Sequence, residues 1–158
     1  MFAHKGAVSQ TQVGFSAALF QPVHQSHLGN LQTIVFDHVF TNTDNVYSTH
    51  TGVFRVPVSG TYVVSVYIIM GAVLDGDVYF EVVEDGNKLG DILINNIVSN
   101  SPDGRPTVTW ENSAFKLWLF HLNKGSEVWV RVASYSVSPE IHGNGHSMFN
   151  AWLLFPDA

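Results

Sequence analysis

The chain has 158 residues, a formal net charge of -6 and only seven Lys and Arg, which excludes a basic nucleic-acid-binding surface. It has no cysteine, which excludes disulfides, thiolate catalysis and cysteine-based zinc sites. Charged residues make up 13% of the sequence, about half the usual share, so part of the surface is expected to be covered by another subunit.

No run of about 18 apolar residues occurs, and no membrane-spanning helix is expected. The opening MFAHKGAVSQTQV lacks the apolar core of a signal peptide. Either the protein is intracellular or this sequence starts after a removed signal. Residues 1–12 read as an N-terminal extension and residues 13–158 as one domain, long enough to bury a core.

Apolar residues recur with period two or in short solid runs, never with a helical period. The predicted strands are Val13–Phe20, Thr33–Phe36, Val39–Thr41, Val46–Thr49, Gly52–Val56, Thr61–Met70, Asp77–Glu84, Lys88–Asn95, Thr107–Glu111, Ser113–Leu122, Glu127–Ser134 and Ser147–Phe155. Asp85-Gly86-Asn87 and Lys124-Gly125-Ser126 read as tight hairpin turns, and Pro102–Pro106 as a longer loop. Short strands at this spacing predict a sandwich or jelly roll.

Three strands carry apolar residues on both faces. Thr61–Met70 sets Tyr62, Val64, Val66, Ile68 and Met70 against Val63, Tyr67 and Ile69. Ser113–Leu122 sets Phe115, Leu117 and Leu119 against Trp118, Phe120 and Leu122. Ser147–Phe155 sets Met148, Trp152 and Leu154 against Phe149, Ala151, Leu153 and Phe155. A monomeric sandwich leaves one face of each sheet wet. With no helix to cover the second face, another copy of the chain is the economical cover. A thick loop folded over the sheet is the alternative.

The residues Phe36, Asn42, Tyr47, Thr51-Gly52, Phe54, Pro57, Gly60 and Tyr62 stand at the intervals of a known family. Together with the opening GFSAAL (Gly14 to Leu19), Lys124-Gly125-Ser126-Glu127-Val128-Trp129-Val130 and the closing Phe149–Phe155, they resemble the globular head domain of complement component 1q, within the tumour necrosis factor-like superfamily. The chain departs from the family at Val64 and Val66, where aromatic residues are usual, and at Ala151, commonly Gly. These changes alter packing volume rather than topology. No Gly-X-Y stalk is present in this sequence. The resemblance implies an all-β, ten-stranded jelly-roll β-sandwich, a tight homotrimer and an extracellular, secreted binding role.

Some members of that family bind calcium near the trimer apex, and the matching positions here are about Asp103 to Gly104 and Asn112, with Glu111 adjacent. Asp75-Gly76-Asp77 is a second loop whose carboxylates suit a hard cation such as calcium, although a solvated turn is the favoured reading of either loop. His142-Gly143-Asn144-Gly145-His146 has a metal-like spacing, but two glycines make it a loop, and a spacing of four gathers ligands only on a helix. His38, His50 and His121 read as packed or surface residues, and Glu81, Glu84 and Asp85 as an acidic group lining an exposed strand end.

No nucleophile elbow, phosphate loop or zinc-protease motif occurs, and no enzyme is expected. The resemblance implies a pattern-recognition or lectin-like protein of innate immunity, binding microbial or host glycans through loops that include Asp75, Asp77, Asp103, Arg105, His142 and His146. A trimeric signalling or adhesion ligand for a protein receptor is the rival.

Overall fold

The computed structural model describes residues 11–22, 24–26, 28–71, 76–96, 99–100, 102–103, 106–107 and 111–158. Thirteen strand segments follow one another along the chain. They are β1 (Gly14–Ala18), β2 (His24–Gln25), β3 (His38–Asn42), β4 (Phe54–Arg55), β5 (Gly60–Gly71), β6 (Gly76–Glu84), β7 (Asn87–Asn96), β8 (Ser99–Asn100), β9 (Pro106–Thr107), β10 (Glu111–Leu122), β11 (Glu127–Tyr135), β12 (Ile141–His142) and β13 (Met148–Pro156). Among the described residues the only helical piece is a short 3-10 turn, Thr43–Asn45.

The strands form two facing antiparallel sheets. The first runs β3–β1–β13–β5–β10, and β12 and β2 continue it beside the far end of β5. The second runs β4–β11–β6–β7, and β8 with β9 forms a separate hairpin. The predicted strand Thr33–Phe36 is irregular. Its start lies along the free edge of β11, held by Ile34 N–H to Val130 O (2.9 Å) and Val132 N–H to Gln32 O (3.0 Å). The predicted Val46–Thr49 strand reduces to one bridge, Tyr47 to Phe54, because it is squeezed between the 3-10 turn before it and the turn closed by Gly52 N–H to Ser48 O (2.8 Å) after it. Of the predicted Thr107–Glu111, residues 108–110 lie outside the described residues.

The core fills the space between the sheets with Phe15, Phe36, Phe54, Tyr62, Phe80 and Phe149 and with the alternating aliphatics of β5, β6 and β11. Phe15 stacks on Tyr47 with centroids 4.5 Å apart and meets Phe149 edge-on at 4.9 Å. The signature residues have physical roles here. Asn42 clamps the Tyr47 backbone from both sides, donating to its carbonyl at 2.8 Å and accepting from its N–H at 3.0 Å. The Tyr47 hydroxyl donates to Phe36 O at 3.0 Å and accepts from Phe36 N–H at 3.1 Å. Tyr62 closes its turn by donating to Val58 O at 2.7 Å.

Gly52 has φ +74°, and a Cβ there would stand 2.7 Å from Ile34 O. Gly52→Ala is expected to lower stability by about 2 kcal/mol, from the left-handed backbone and the close approach together. Urea unfolding followed by tryptophan fluorescence would read it.

Two turns separate in an instructive way. Asp85 and Gly86, at φ 49° and 85°, join β6 to β7 as a two-residue hairpin, as the Asp-Gly pair predicts. Lys124-Gly125-Ser126 is equally tight, but it is not a hairpin. It carries the chain from β10 in one sheet to β11 in the other, so the strands it joins do not pair.

The outer edge between the sheets is closed by β10 leaning over β7. Trp118 packs where Gly90 has no side chain, 2.9 Å from the place a Cβ would take. Lys116 reaches across to donate to Asp91 O at 2.7 Å. The Asp91 carboxylate, hydrogen-bonded by Lys88 at 2.9 Å, is held below the usual carboxylate range by that bond.

The acidic group does not behave as one exposed strand end. Glu81 is 8% exposed and paired with Arg131 at 2.7 Å on the outer side of the second sheet. Glu84 and Asp85 instead accept backbone N–H groups of Asn123 and Glu127.

Candidate functional site: the outer face of the first sheet

The outer face of the first sheet is built by register. Three rows cross it from β1 through β13 and β5 to β10: Gly14–Trp152–Val63–Leu119, Ser16–Asn150–Ser65–Leu117 and Ala18–Met148–Tyr67–Phe115. The odd-numbered residues of β10 point outward because its even-numbered neighbours Ala114, Trp118 and Phe120 pack on the core. Phe115, Leu117 and Leu119 are consequently 59%, 51% and 60% exposed, and Trp152 beside them is 43% exposed. Val63, between Trp152 and Leu119, is buried apart from the main core.

The strand β13 differs from a regular alternation. A register shift between Leu153 and Phe155 turns Phe155 out, so this ring, which plain alternation groups with Phe149, adds to the outer face. At that end His121 Nε2 sits 3.0 Å from Asp157 Oδ1. At the other side of the face a bulge leaves Phe40 unpaired between Val39 and Thr41, where it packs with His38 and Phe20.

The middle row is polar within this apolar surround. Ser16 Oγ donates to Asn150 Oδ1 at 2.6 Å, and Asn150 Nδ2 donates to Ser65 Oγ at 3.2 Å. The alternation in β13 already placed Asn150 on the Trp152 side. What it lacked was the pairing that lines Asn150 up with serines from two other strands. A cavity of about 390 Å³ adjoins the row between Gln12, Gly14, Thr41 and Trp152. Another, of about 420 Å³, lies between Ser48, Thr51, Arg55 and Glu127 on the far sheet. The second is spanned by the Arg55–Glu127 ion pair.

The candidate loop residues are partly gathered. Asp77 and Asn112 come together through Asn95: Asn95 Nδ2 donates to Asp77 Oδ1 at 2.5 Å, and Asn112 Nδ2 donates to Asn95 O at 2.5 Å. Asp77 thus belongs to the same end of the molecule as the start of β10, where Glu111 pairs with Gly71. Asp103 is exposed in a turn. Asp75 and Arg105 lie outside the described residues.

His142 sits on β12, paired in register with His24, and its Nε2 is 3.9 Å from Glu140 Oε1. His146 is exposed in the turn that follows. Among the described residues no three His, Asp or Glu side chains gather in a way that would hold a metal ion. Among the described residues no helix is long and apolar enough to cross a membrane.

Comparison with known proteins places these features. The sequence model of the C1q domain matches residues 14–154. The chain is 28% identical over 149 residues to Complement C1q tumor necrosis factor-related protein 3 of Mus musculus, and equally to that of Homo sapiens. The match covers 92% of this chain and 52% of each relative, so the chain spans about half the length of the curated relatives it matches. Among solved structures, the globular domain of zebrafish complement 1qA protein has a TM-score of 0.64 at 14% identity, over 92% of this chain and 99% of that one. Eiger TNF from S. frugiperda has a TM-score of 0.65 at 15% identity, over 94% and 96%. Murine APRIL, at 13% identity, has a TM-score of 0.63, over 91% of this chain and 100% of that one. These structures share the jelly-roll sandwich. With the family's sequence pattern running from the first strand to the last, the chain belongs to the C1q domain family.

Proposed function

We propose that this chain is the homotrimeric head of a secreted pattern-recognition protein, lectin-like in action, that binds microbial or host glycans or other repetitive surfaces in innate immunity. The observation that carries this reading is the apolar stripe Phe115–Leu117–Leu119 with Trp152, left open by the single chain. Two further copies of the chain are its occupants. The low share of charged residues and the C1q family membership support them. A trimer presents every ligand site three times, and avidity of about 10²–10⁴ over one site suits a repetitive target.

Ligand contact is assigned to the loops carrying Asp75, Asp77, Asp103, Arg105, His142 and His146. Calcium at Asp103, Glu111 and Asn112 is the proposed cation site, a reading that rests on the family match and on oxygen ligands of the kind a hard cation takes. The test is binding of the purified protein to immobilised microbial polysaccharides, with calcium and again with a chelator. Saturable binding lost on chelation supports both the glycan and the cation. Binding that survives removes the cation. Silence across the panel overturns the glycan reading.

One observation favours the receptor reading instead. On the outer side of the second sheet Tyr79 and Leu93 face each other in register, and both are exposed. Aromatic anchors of this kind suit a protein partner. Tyr79→Ala would weaken receptor capture and leave polysaccharide binding unchanged.

A further inference from the structure

We propose that the polar row Ser16–Asn150–Ser65 is the element by which assembled chains recognise their own copies. This rests on the homotrimer reading above and goes beyond it, because it names what selects the partner rather than what drives association. The apolar rows on either side, ending in Leu119 and Phe115, would pack against any apolar surface of matching shape. The polar row cannot.

Ser65 is only 5% exposed in the single chain, and its oxygen accepts from Asn150. Each hydroxyl donates one proton, and the Asn150 amide has two protons and two acceptor sites. The bonds within the row use one of those amide protons and leave the Ser65 hydroxyl proton for another acceptor. Once copies cover the face, water no longer supplies the missing partners, and a buried polar group left unpaired is costly. Amides and hydroxyls both donate and accept, so equivalent rows from identical chains satisfy one another under rotational symmetry. A carboxylate or an ammonium group could not do this. An alien chain with an apolar residue at these places leaves the row unpaired, and its rejection is the source of selectivity. A single polar residue in an apolar seam acts in the same way in coiled coils, fixing register and oligomer state.

The experiment is co-refolding of equal amounts of isotope-labelled wild type and Asn150→Leu, with trimer composition read by native mass spectrometry. Labelled and unlabelled wild type serve as the control, where random assortment makes about three quarters of the trimers mixed. The expected result is that Asn150→Leu forms trimers with itself, while mixed trimers with wild type fall about tenfold below the control. Mixing at the control level overturns the proposal and leaves the homotrimer reading intact. Wild type that is monomeric at micromolar concentration overturns both. Should Asn150→Leu not fold, Ser65→Ala removes the acceptor with a smaller change and is judged by the same two outcomes.

Discussion

Leu119→Glu is expected to turn the protein into a folded monomer at micromolar concentration and to lower its apparent affinity for a repetitive surface by about 10²–10⁴. The side chain is 60% exposed in the single chain, so a carboxylate there stays in water and the sandwich keeps its core. In the proposed assembly the same carboxylate is stripped of water and brought near equivalent copies, with no cation on the neighbouring strand positions Val63 and Trp152 to offset it. Charge burial and like-charge repulsion both oppose association. Light scattering reads the mass, and a cooperative melt shows that the fold survives. Lys124→Glu, in the exposed turn between the sheets, is the control and should leave the trimer unchanged. A variant that is still trimeric removes β10 from the interface.

The eight strands of five residues or more were legible because their apolar residues recur with period two or fill both faces in short solid runs, a pattern that survives whatever the strand pairs with. The two-sided apolar pattern of β5, β10 and β13 was legible for the same reason, and it gave the open face before any topology was known. Register was not legible. Phe155 crosses to the outer face through a one-residue shift that no local pattern announces. Ser16, Asn150 and Ser65 become one row only when three strands distant in sequence pair. Lys124-Gly125-Ser126 has the composition of a hairpin, yet composition fixes the turn and not the partner of the strands it joins. Glu81 looked like part of a charged surface because Arg131, its neutralising partner, stands 50 residues away in sequence. Of the site residues, Asp77 and Asn112 were named for separate loops, and Asn95 joins them, through its side-chain amide to Asp77 and its backbone carbonyl to Asn112.

The second large effect is Tyr47→Phe. The ring can remain stacked on Phe15 and edge-on to Phe149, so no apolar contact need be lost. Only the hydroxyl goes. It is the hydrogen-bond partner of both the N–H and the C=O of Phe36, a residue with no exposed surface that leads into the strand pairing with β1. Two buried backbone groups left unpaired cost about 3 kcal/mol, more than the loss of one surface hydrogen bond. Urea unfolding should be measured in the Leu119→Glu background, where assembly adds no concentration-dependent term. The pH dependence supplies an independent check. Burial raises the Tyr47 phenol above its ordinary value of 10.0, so its ionised form is favoured only in the unfolded chain. The stability this residue contributes is fully present below pH 10.0 and is lost as the pH climbs above it. Phe cannot ionise. The gap between wild type and Tyr47→Phe should therefore be constant through neutral pH and shrink in alkali. A gap that stays constant into strong alkali would show that the hydroxyl reaches water in the folded state and does not hold Phe36 as described.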